Sequence, residues 1–350
     1  MTSAPPEAGD TPLEALAARA LGVELPSALA SLVPVLVDDL AQVDQLLERS
    51  LISRFAQLTE AATYATRTGG KRVRPLLMLA THRALGGSSP APVLALAASF
   101  QLIHTATLVH DDVIDHAELR RGRPSVPRAY GLPAAIVAGD YLFVRAFELA
   151  AEYPRSIILR CGEACADLAE GEVLQEASRF DLTTGVERYF RVIELKTAAI
   201  VAAALAAVGE IDGSAPAVVE ALAAYGRAVG ISYQLRDDLL DVYGDPDLIG
   251  KPLFADLREG NPTLVTLEAH RSLGGSERTE FERLFALHRK QTGDVLRLRQ
   301  LIDASGAPTR VADEAHRWAE RALEAIARVP AGPYRSLLEL LARAAAERRF

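Results

Sequence analysis

The chain has 350 residues, of which 49% are hydrophobic and only 6% aromatic, and its formal net charge at pH 7 is −8. This length and apolar content allow a large buried core, and the alanine- and leucine-rich stretches favour helix. An acidic balance without a basic stripe argues against a nucleic-acid-binding protein. Its two cysteines provide no disulfide framework, which fits a reducing compartment. We therefore predict an all-α, cytoplasmic protein.

The helical patterns begin after a polar, proline-rich start. Residues 1–10 lack the charged start and apolar centre of a signal peptide, and they are predicted to form a disordered tail. Short breaks rich in glycine and proline separate the later helical patterns, and none is long enough for an interdomain linker. We predict one helical domain spanning residues 1–350, with breaks at residues 86–92, 122–127, 131–133, 213–216, 244–252, 260–262 and 274–275.

One long stretch, residues 84–110, contains no Asp, Glu, Lys or Arg and raises the question of a membrane span. Glycines and prolines interrupt its first part. Its second part carries polar groups such as His104 and leads directly into Asp111 and Asp112. A buried central helix explains this pattern better than a membrane span. The apolar run at residues 197–209 is predicted to be too short to cross a bilayer.

Two acidic motifs share one pattern, Asp-Asp-Val-Ile-Asp at residues 111–115 and Asp-Asp-Leu-Leu-Asp at residues 237–241. On a helix, residues four apart lie one above the other, so each motif is expected to crowd three carboxylates on one turn. Their repulsion favours a bound cation, and Mg²⁺ is usually held by carboxylates together with substrate phosphates. A solvated acidic surface explains one such motif better than two. The predicted metal ligands are Asp111, Asp112, Asp115, Asp237, Asp238 and Asp241.

Cations lie close to both acidic motifs in the sequence. Two glycines precede Lys71 and Arg74, and this flexible backbone lets both cations converge on an oxyanion. Lys196 begins an otherwise uncharged helix, where an ammonium group without an anionic partner is costly. Each cation alone is typical of a surface, whereas the set beside six aspartates predicts a phosphate site containing metal ions. The set is Lys71, Arg74, Arg120, Arg121, Lys196 and Lys251.

The order and spacing of these motifs resemble the trans-isoprenyl diphosphate synthases, the family of farnesyl, geranylgeranyl and longer polyprenyl diphosphate synthases. The similarity extends from about Gly69 to Leu264. It implies a single large all-α bundle of the isoprenoid synthase type, with a central cleft and a tunnel for the prenyl tail. The matching motifs are Gly-Gly-Lys-Arg-x-Arg-Pro at 69–75, His-Asp-Asp-Val-Ile-Asp at 110–115, Arg-Arg-Gly-x-Pro at 120–124, Gly-Asp-Tyr-Leu at 139–142, Lys-Thr at 196–197 and Tyr-Gln-Leu-x-Asp-Asp-Leu-Leu-Asp at 233–241.

The resemblance also implies the reaction, a Mg²⁺-dependent head-to-tail condensation of isopentenyl diphosphate with an allylic prenyl diphosphate, with three ions in each active site. The residues implied for catalysis are Asp111, Asp112, Asp115, Lys196, Asp237 and Asp238. Those implied for the diphosphate of isopentenyl diphosphate are Lys71, Arg74, His104 and Arg121. Those implied for the allylic diphosphate are Arg120, Lys196, Thr197, Gln234 and Lys251.

Two positions depart from the family pattern. Phe254 stands where the family usually has glycine, and Asn261 stands where it usually has lysine. A cation near the allylic diphosphate is therefore missing. Weaker allylic binding, or an altered closing loop, is expected.

The assembly is also expected from the resemblance. The family implies a homodimer, which agrees with more apolar helices than the inner faces of one bundle require. No transmembrane segment is expected. Contact with a membrane is expected only at its surface, for release of the product.

Product length is expected to depend on side chains below the first acidic motif. In the family, the growing tail runs along this helix, and bulky residues four or five positions before the first aspartate act as a floor. Those positions are Thr107 and Ala106, both small, and five residues of helix span about 7.5 Å. Phe100 is a candidate for a deeper floor. We predict a medium- or long-chain product of about C25–C40, with geranylgeranyl diphosphate as the shorter alternative, and a shorter product for Ala106→Phe.

Three other functions explain the motifs less well than a synthase does. A class I terpene cyclase ionises the same substrates, but it needs neither a second aspartate motif nor a second diphosphate site at Lys71 and Arg74. A noncatalytic subunit of a heteromeric synthase is expected to lose acidic residues, and this chain keeps all six. A purely structural helical protein explains none of these motifs. The synthase is therefore favoured.

Overall fold

Helices account for nearly all the regular structure of the chain. The computed structural model describes residues 26–67, 72–246 and 253–348. Within these ranges the β-structure is one antiparallel pair of two-residue strands, β1 (Leu119–Arg120) and β2 (Arg123–Pro124). The predicted all-α fold is therefore confirmed. The predicted tail at residues 1–10 lies outside the described residues, and a single domain over the whole chain stays a prediction.

The N-terminal part of the bundle follows a short 3-10 helix (Ser27–Leu32). It ends with the long helix that precedes the loop at residues 177–184. Its helices are α1 (Val33–Ser50), α2 (Ala56–Arg67), α3 (Val73–Ala84), α4 (Ala91–Ile114), α5 (Val126–Tyr130), α6 (Leu132–Ala150) and α7 (Arg155–Glu176).

The C-terminal part of the bundle begins with a continuous helical stretch that contains a π turn (Glu194–Ala198). The helix before this turn is α8 (Gly185–Ile193), and the helix after it is α9 (Ala199–Ile211). The remaining helices are α10 (Pro216–Tyr243), α11 (Ala255–Glu259), α12 (Leu264–Ser272), α13 (Gly275–Phe285), α14 (Thr292–Ser305), α15 (Ala307–Ile326) and α16 (Pro333–Glu347).

Helix α4 lies at the centre of the N-terminal part and packs against α1, α3, α6 and α9. It has a proline in its first turn, where the missing N–H costs no helical hydrogen bond. Phe100, Leu102 and Ile103 are completely buried, and each such side chain contributes about 1.5–3 kcal/mol. The helix ends where the N–H of Asp115 donates to the carbonyl of Asp111 over 2.8 Å. The apolar body of α4 therefore anchors an acidic end.

Two helical stretches, Ala91–Ile114 and Gly185–Ile211, are long and apolar enough to cross a membrane by length and composition alone. In their most apolar windows, 67% and 72% of the residues are buried inside the fold, so these features give only weak support for a membrane span. The prediction of a buried central helix at residues 84–110 agrees with this burial. The prediction that the apolar run at residues 197–209 is too short to cross a bilayer was wrong, because α8, the π turn and α9 form one longer helical stretch.

Two glycines let neighbouring helices approach the π turn closely. A side-chain carbon added at Gly171 in α7 would lie 2.8 Å from the backbone nitrogen of Lys196. One added at Gly230 in α10 would lie 2.7 Å from the Cα atom of Ala198. Close-packed backbones at these distances leave no room for a larger side chain. Helices α7 and α10 therefore hold the π turn, with Lys196 and Thr197 in it, from both sides.

His82 joins three segments at the end of the bundle opposite the acidic motifs. Its Nδ1 lies 2.8 and 2.9 Å from the two carboxylate oxygens of Asp212, and its Nε2 lies 2.8 Å from the carbonyl oxygen of Ser89. All these partners are acceptors, so both ring nitrogens donate only when the imidazole is protonated. The hydrogen bond with Asp212 raises the pKa of the buried His82 above its ordinary value.

This pair gives the stability of the fold a pH dependence. Because folding raises the pKa of His82, its contribution is complete below the unfolded pKa of about 6.5 and is lost as pH rises through the folded pKa. We expect His82→Gln to lower the free energy of unfolding by about 2–4 kcal/mol at pH 6 and by less at pH 9. Urea denaturation of both proteins at each pH measures the difference. An equal loss at both pH values would contradict a charged His82.

Candidate active site

A deep cleft opens beside the ends of α4 and α10, the two helices that carry the acidic motifs. Its cavity has a volume of about 1580 Å³, which exceeds the roughly 300–1,000 Å³ of a typical small-ligand site. Charged side chains surround one end, near Asp111 and Asp237, and apolar side chains such as Leu77, Leu168 and Val201 line the rest. The cavity therefore has a polar end and an apolar chamber.

The three acids of the first motif point in different directions. Asp111 lines the cavity, and burial raises its pKa to about 6. Asp115 also lines the cavity, and it accepts a hydrogen bond of 2.7 Å from Nη2 of Arg179. Asp112 is buried behind the wall, where one carboxylate oxygen accepts hydrogen bonds of 2.8 and 2.5 Å from Nε and Nη2 of Arg120. The expected three-acid face is thus wrong for Asp112, because successive helical residues differ by about 100° in direction.

In the second motif, two of the three acids line the cavity. Asp237 accepts a hydrogen bond of 2.8 Å from Nη2 of Arg348, a buried arginine directly after α16. Asp238 is almost completely buried, and its two oxygens accept hydrogen bonds of 2.5 Å from Tyr189 and 2.9 Å from Gln234. Asp237 is therefore the more accessible carboxylate of this motif.

Asp241 does not line the cavity, contrary to the expected face of three carboxylates. It is completely buried, and its carboxylate accepts from the N–H groups of Ala255 over 3.1 Å and Asp256 over 3.2 Å. These donors lie at the start of α11, where helical N–H groups lack partners within the helix. Asp241 therefore holds the start of α11 against the end of α10.

The π turn places Lys196 and Thr197 in the wall between the two motifs. Lys196 forms an ion pair with Glu172 of α7. Burial lowers the pKa of Lys196, but the charges of Asp111 and Glu172 outweigh this effect and the net shift is upward. Thr197 donates from Oγ1 to Oε1 of Gln234 over 3.1 Å. Lys196 therefore stays positively charged beside the first acidic motif.

Four arginines surround His104 on another wall of the cavity. Burial lowers the pKa of Arg74 to about 10, so its guanidinium stays charged at neutral pH. Its Nε is buried and has no hydrogen-bond partner in the described part of the chain. Burial and the positive charge of Arg74 lower the pKa of His104 well below its ordinary value, which keeps the imidazole neutral. A buried guanidinium with a free donor is suited to an anion, and the cluster consists of Arg72, Arg74, Arg120 and Arg121.

The loop around α11 carries both departures from the family pattern. Phe254 has a φ of +67°, a left-handed conformation that glycine adopts without strain. Asn261 donates from Nδ2 to Asp256 and to Glu259, each over 3.1 Å. Burial, with neighbouring acids, raises the pKa of Glu259 to about 7. A neutral amide therefore lies between two carboxylates at the position of the expected ammonium, and weaker allylic binding stays a prediction.

The donors of the cleft fit Mg²⁺. Within residues 26–67, 72–246 and 253–348, no three acidic, histidine or cysteine side chains converge to hold a metal ion by themselves. Mg²⁺ does not require such a cage, because it keeps water ligands and binds through one or two carboxylates and substrate phosphates. Asp111 and Asp115 on one wall and Asp237 on the other offer the hard oxygen ligands that it prefers. Burial raises the pKa of Asp111 even though Lys196 lies near, so a metal ion would further stabilise its charged form.

The side chains predicted to set product length lie at different places. Thr107 lines the cavity, whereas Ala106 and Phe100 are completely buried in the core and are absent from its lining. Of the three positions Thr107 is therefore the one that can contact a ligand in this cavity, and a role for Ala106 or Phe100 as the floor stays a prediction. Two predicted cations, Lys71 and Lys251, lie outside the described residues.

Three charged residues of the site were missed by the sequence analysis. Arg179 and Arg348 pair with motif aspartates but lie far from them in the sequence, so the spacing of the motifs gave no signal. Glu172 carried a signal, because the ammonium of Lys196 requires an anionic partner in an apolar helix.

The sequence profile of the polyprenyl synthetase family matches residues 55–303. An all-trans-nonaprenyl-diphosphate synthase (geranyl-diphosphate specific) of Rhodobacter capsulatus is 34% identical over 321 residues, which cover 91% of this chain and 97% of that protein. The octaprenyl diphosphate synthase of Escherichia coli (strain K12) is 35% identical over 312 residues, covering 89% of this chain and 96% of that protein.

A solved structure extends the similarity to three dimensions. The polyprenyl synthase from Caulobacter crescentus CB15, complexed with calcium and isoprenyl diphosphate, has a TM-score of 0.88 and 37% sequence identity. The match covers 92% of this chain and 98% of that one. The fold, the two acidic motifs and these relatives agree, and the chain therefore belongs to the polyprenyl synthetase family, the head-to-tail trans-prenyl diphosphate synthases.

Proposed function

We propose that the chain is a Mg²⁺-dependent polyprenyl diphosphate synthase that condenses isopentenyl diphosphate with an allylic diphosphate into an all-trans product of about C25–C40. The observation that carries this proposal is the division of the cavity into a charged end and an apolar chamber. The charged end offers cations for two diphosphates, one beside Arg74 and one beside Lys196 between the acidic motifs. The chamber provides the apolar surface that a growing prenyl chain requires.

Arg74 and Arg121 of the arginine cluster, with His104, form the proposed site for the diphosphate of isopentenyl diphosphate. Arg74 has an unpaired donor and Arg121 lines the same part of the cavity. Guanidinium groups match phosphate oxygens with paired donors and stay charged at neutral pH. Neutral His104 adds a ring nitrogen without adding charge. The cluster therefore holds the second substrate while its double bond stays free to react.

The other diphosphate is proposed to lie between the two acidic motifs, beside Lys196 and Thr197. As the carbon–oxygen bond of the allylic substrate breaks, negative charge grows on the leaving diphosphate, and preorganised cations lower the energy of that state. Mg²⁺, when bound, supplies Lewis-acid stabilisation of the same oxygens. We propose that three ions are bound in each active site and that the carboxylates facing the ligand are those of Asp111, Asp115 and Asp237.

The remaining acids are proposed to position other groups. Asp112 holds Arg120 through two hydrogen bonds, so Arg120 reaches the allylic diphosphate as part of this pair. Asp238 orients Gln234, and Asp241 holds the start of α11. The apolar side chains beyond the acids exclude water from the allylic cation until the double bond of isopentenyl diphosphate attacks. The released diphosphate then accepts the proton.

Two observations support a product longer than geranylgeranyl diphosphate, the shorter alternative. The cavity is large. Of the two positions expected to form a floor near the acidic motif, Ala106 and Thr107, the one that lines the cavity is Thr107, whose side chain is small. The similar proteins of Rhodobacter capsulatus and Escherichia coli are named nonaprenyl and octaprenyl diphosphate synthases. An octaprenyl chain lies at the long end of the proposed range and a nonaprenyl chain is one isoprene unit beyond it, so these names favour a long product. A cytoplasmic location, with membrane contact only for release of the product, is proposed as well.

The product assay is the direct test. The protein is incubated with isopentenyl diphosphate, Mg²⁺ and a ten-, fifteen- or twenty-carbon starter, and the products are separated by chromatography. We expect all-trans products of about C25–C40 and no product in excess EDTA. A cyclic hydrocarbon formed without consumption of isopentenyl diphosphate, or elongation that ends at fifteen carbons, would overturn the proposal.

Replacing an acid that faces the cavity should reduce kcat far more than replacing an acid elsewhere in the chain. We expect Asp111→Ala and Asp237→Ala each to lower kcat by about 10²–10³-fold or more with the fold intact, because each removes a proposed metal ligand. Asp313→Ala, at an exposed acid of α15 outside the cavity lining, is the control and should keep normal kcat. Near-normal turnover of either cleft variant would exclude the proposed metal site.

A homodimer is proposed through the outer face of α6. Exposed large apolar side chains gather there. Tyr141 and Arg145 of α6 donate hydrogen bonds to the carbonyl oxygen of Ile52 over 3.1 and 2.7 Å, which places the turn between α1 and α2 at the same face. Exposed apolar patches of this kind mark interaction sites, and a self-complementary face suits a symmetric dimer. The face consists of Ile52, Phe55, Leu132, Ile136, Val137 and Val144.

Charged substitutions on this face should separate the subunits. We expect the double variant Val137→Glu/Val144→Glu to sediment as a 37.6 kDa monomer at micromolar concentration, because each glutamate would have to lose its water in the interface. Leu296→Glu, at an exposed apolar residue of α14, should stay dimeric like the original chain. Sedimentation of the unmodified chain as a monomer would contradict the proposal.

A further inference from the structure

Phe143 of α6 is the phenylalanine that lines the cavity among the residues of the described ranges. It is half-buried, and its ring centre lies 5.9 Å from that of His110, the residue before the first acidic motif. The aromatic rings of Tyr189 and Tyr233 belong to the charged end, where Tyr189 binds Asp238. Phe143 is therefore the bulky aromatic group on the wall of the apolar chamber.

The depth of Phe143 follows from how α6 and α4 run past each other. Gly139 lies against the ring of His110, where an added side-chain carbon would clash with it. Further along, the carbonyl of Ala146 accepts a hydrogen bond of 2.8 Å from Oγ of Ser99. As residue numbers rise on α6 they fall on α4, so the helices are antiparallel. Phe143, one turn beyond Gly139, lies between these two contacts, near the level of residues 104–106, about 8–10 Å from the first aspartate along α4.

Phe143 also closes a gap in the wall. Helix α6 packs extensively on α4 and only sparsely on α7. Cys165 of α7 lines the same cavity as Phe143. On either side of Phe143 along α6, Asp140 and Val144 are exposed, the former by 67% of its side chain and the latter by 55% of the residue. The Phe143 ring therefore separates the chamber from the outer face of α6.

We propose that Phe143 sets product length by narrowing the tail chamber one to two turns below the acidic motif. This inference rests on the proposed function and assigns the steric role to α6 instead of α4. At this depth α4 presents the small Thr107, with Ala106 turned into the core, and the bulkier His104 and Leu108 line the cavity on either side. The ring of Phe143 directs the growing chain towards the part of the chamber lined by Leu77 and Val229.

Size variants at this position test the proposal in the product assay. We expect Phe143→Ala to shift the main product longer by at least one isoprene unit, because it opens space towards α7. Phe143→Trp should shift it shorter by at least one unit, and Phe143→Leu should give an intermediate distribution. The KM for isopentenyl diphosphate should stay within about twofold, since the charged end is unchanged.

Phe147→Ala is the matched control, because Phe147 lies one turn further along α6, is equally half-buried and does not line the cavity. Its products should equal those of the unmodified chain. If Phe143→Ala fails to fold, the products of Phe143→Leu and Phe143→Trp test the proposal. The melting temperature of each variant shows whether it is folded. Unchanged products in folded variants, or an equal shift in Phe147→Ala, would overturn the role of Phe143. Absence of any prenyl product from the unmodified chain would instead overturn the proposed function.

Discussion

The crowding of negative charge at one end of the cleft is the constraint on which the rest of the site depends. A buried carboxylate without a partner costs several kcal/mol, so each acid in this region requires a cation or several donors. The partners come from β1, the loop after α7, the π turn and the end of α16. Their pairing therefore fixes how these segments lie around α4 and α10. The pairs are Arg120–Asp112, Arg179–Asp115, Lys196–Glu172 and Arg348–Asp237.

The same pairs prepare the cleft for anionic substrates. Arg348 is held in two ways, by its hydrogen bond to Asp237 and by its guanidinium, which lies 3.6 Å from the ring centre of Tyr233. Cation–π contacts of this kind keep a guanidinium in place when its anionic partner changes. A diphosphate that enters the cleft therefore meets cations already in position, and little reorganisation is needed as charge develops on its oxygens.

Local chemistry made much of this site predictable from sequence, because the two motifs carry their own spacing. The burial of α4 followed from its lack of charge, and the all-α class followed from composition. The orientations did not follow, since they depend on packing: Asp112 and Asp241 turn away from the cavity although their neighbours face it. The pairing of Arg348 with Asp237 could not be predicted from the sequence, because only the folded chain brings the end of α16 to α10. Ala106 was expected to face the tail tunnel but does not line the cavity, because a residue's distance along a helix does not determine which side it faces.

The π turn has a consequence for length variation in this region of the chain. A π turn accommodates one residue more than an α-turn, so removing one residue between 194 and 198 would leave a regular helix with all its hydrogen bonds. The apolar residues of α9 would still meet the core. Lys196 and Thr197, however, would rotate by about 100° relative to that core, away from Glu172 and Gln234. A one-residue deletion here can therefore yield a well-folded protein without catalysis, so stability and activity can be lost independently in this segment.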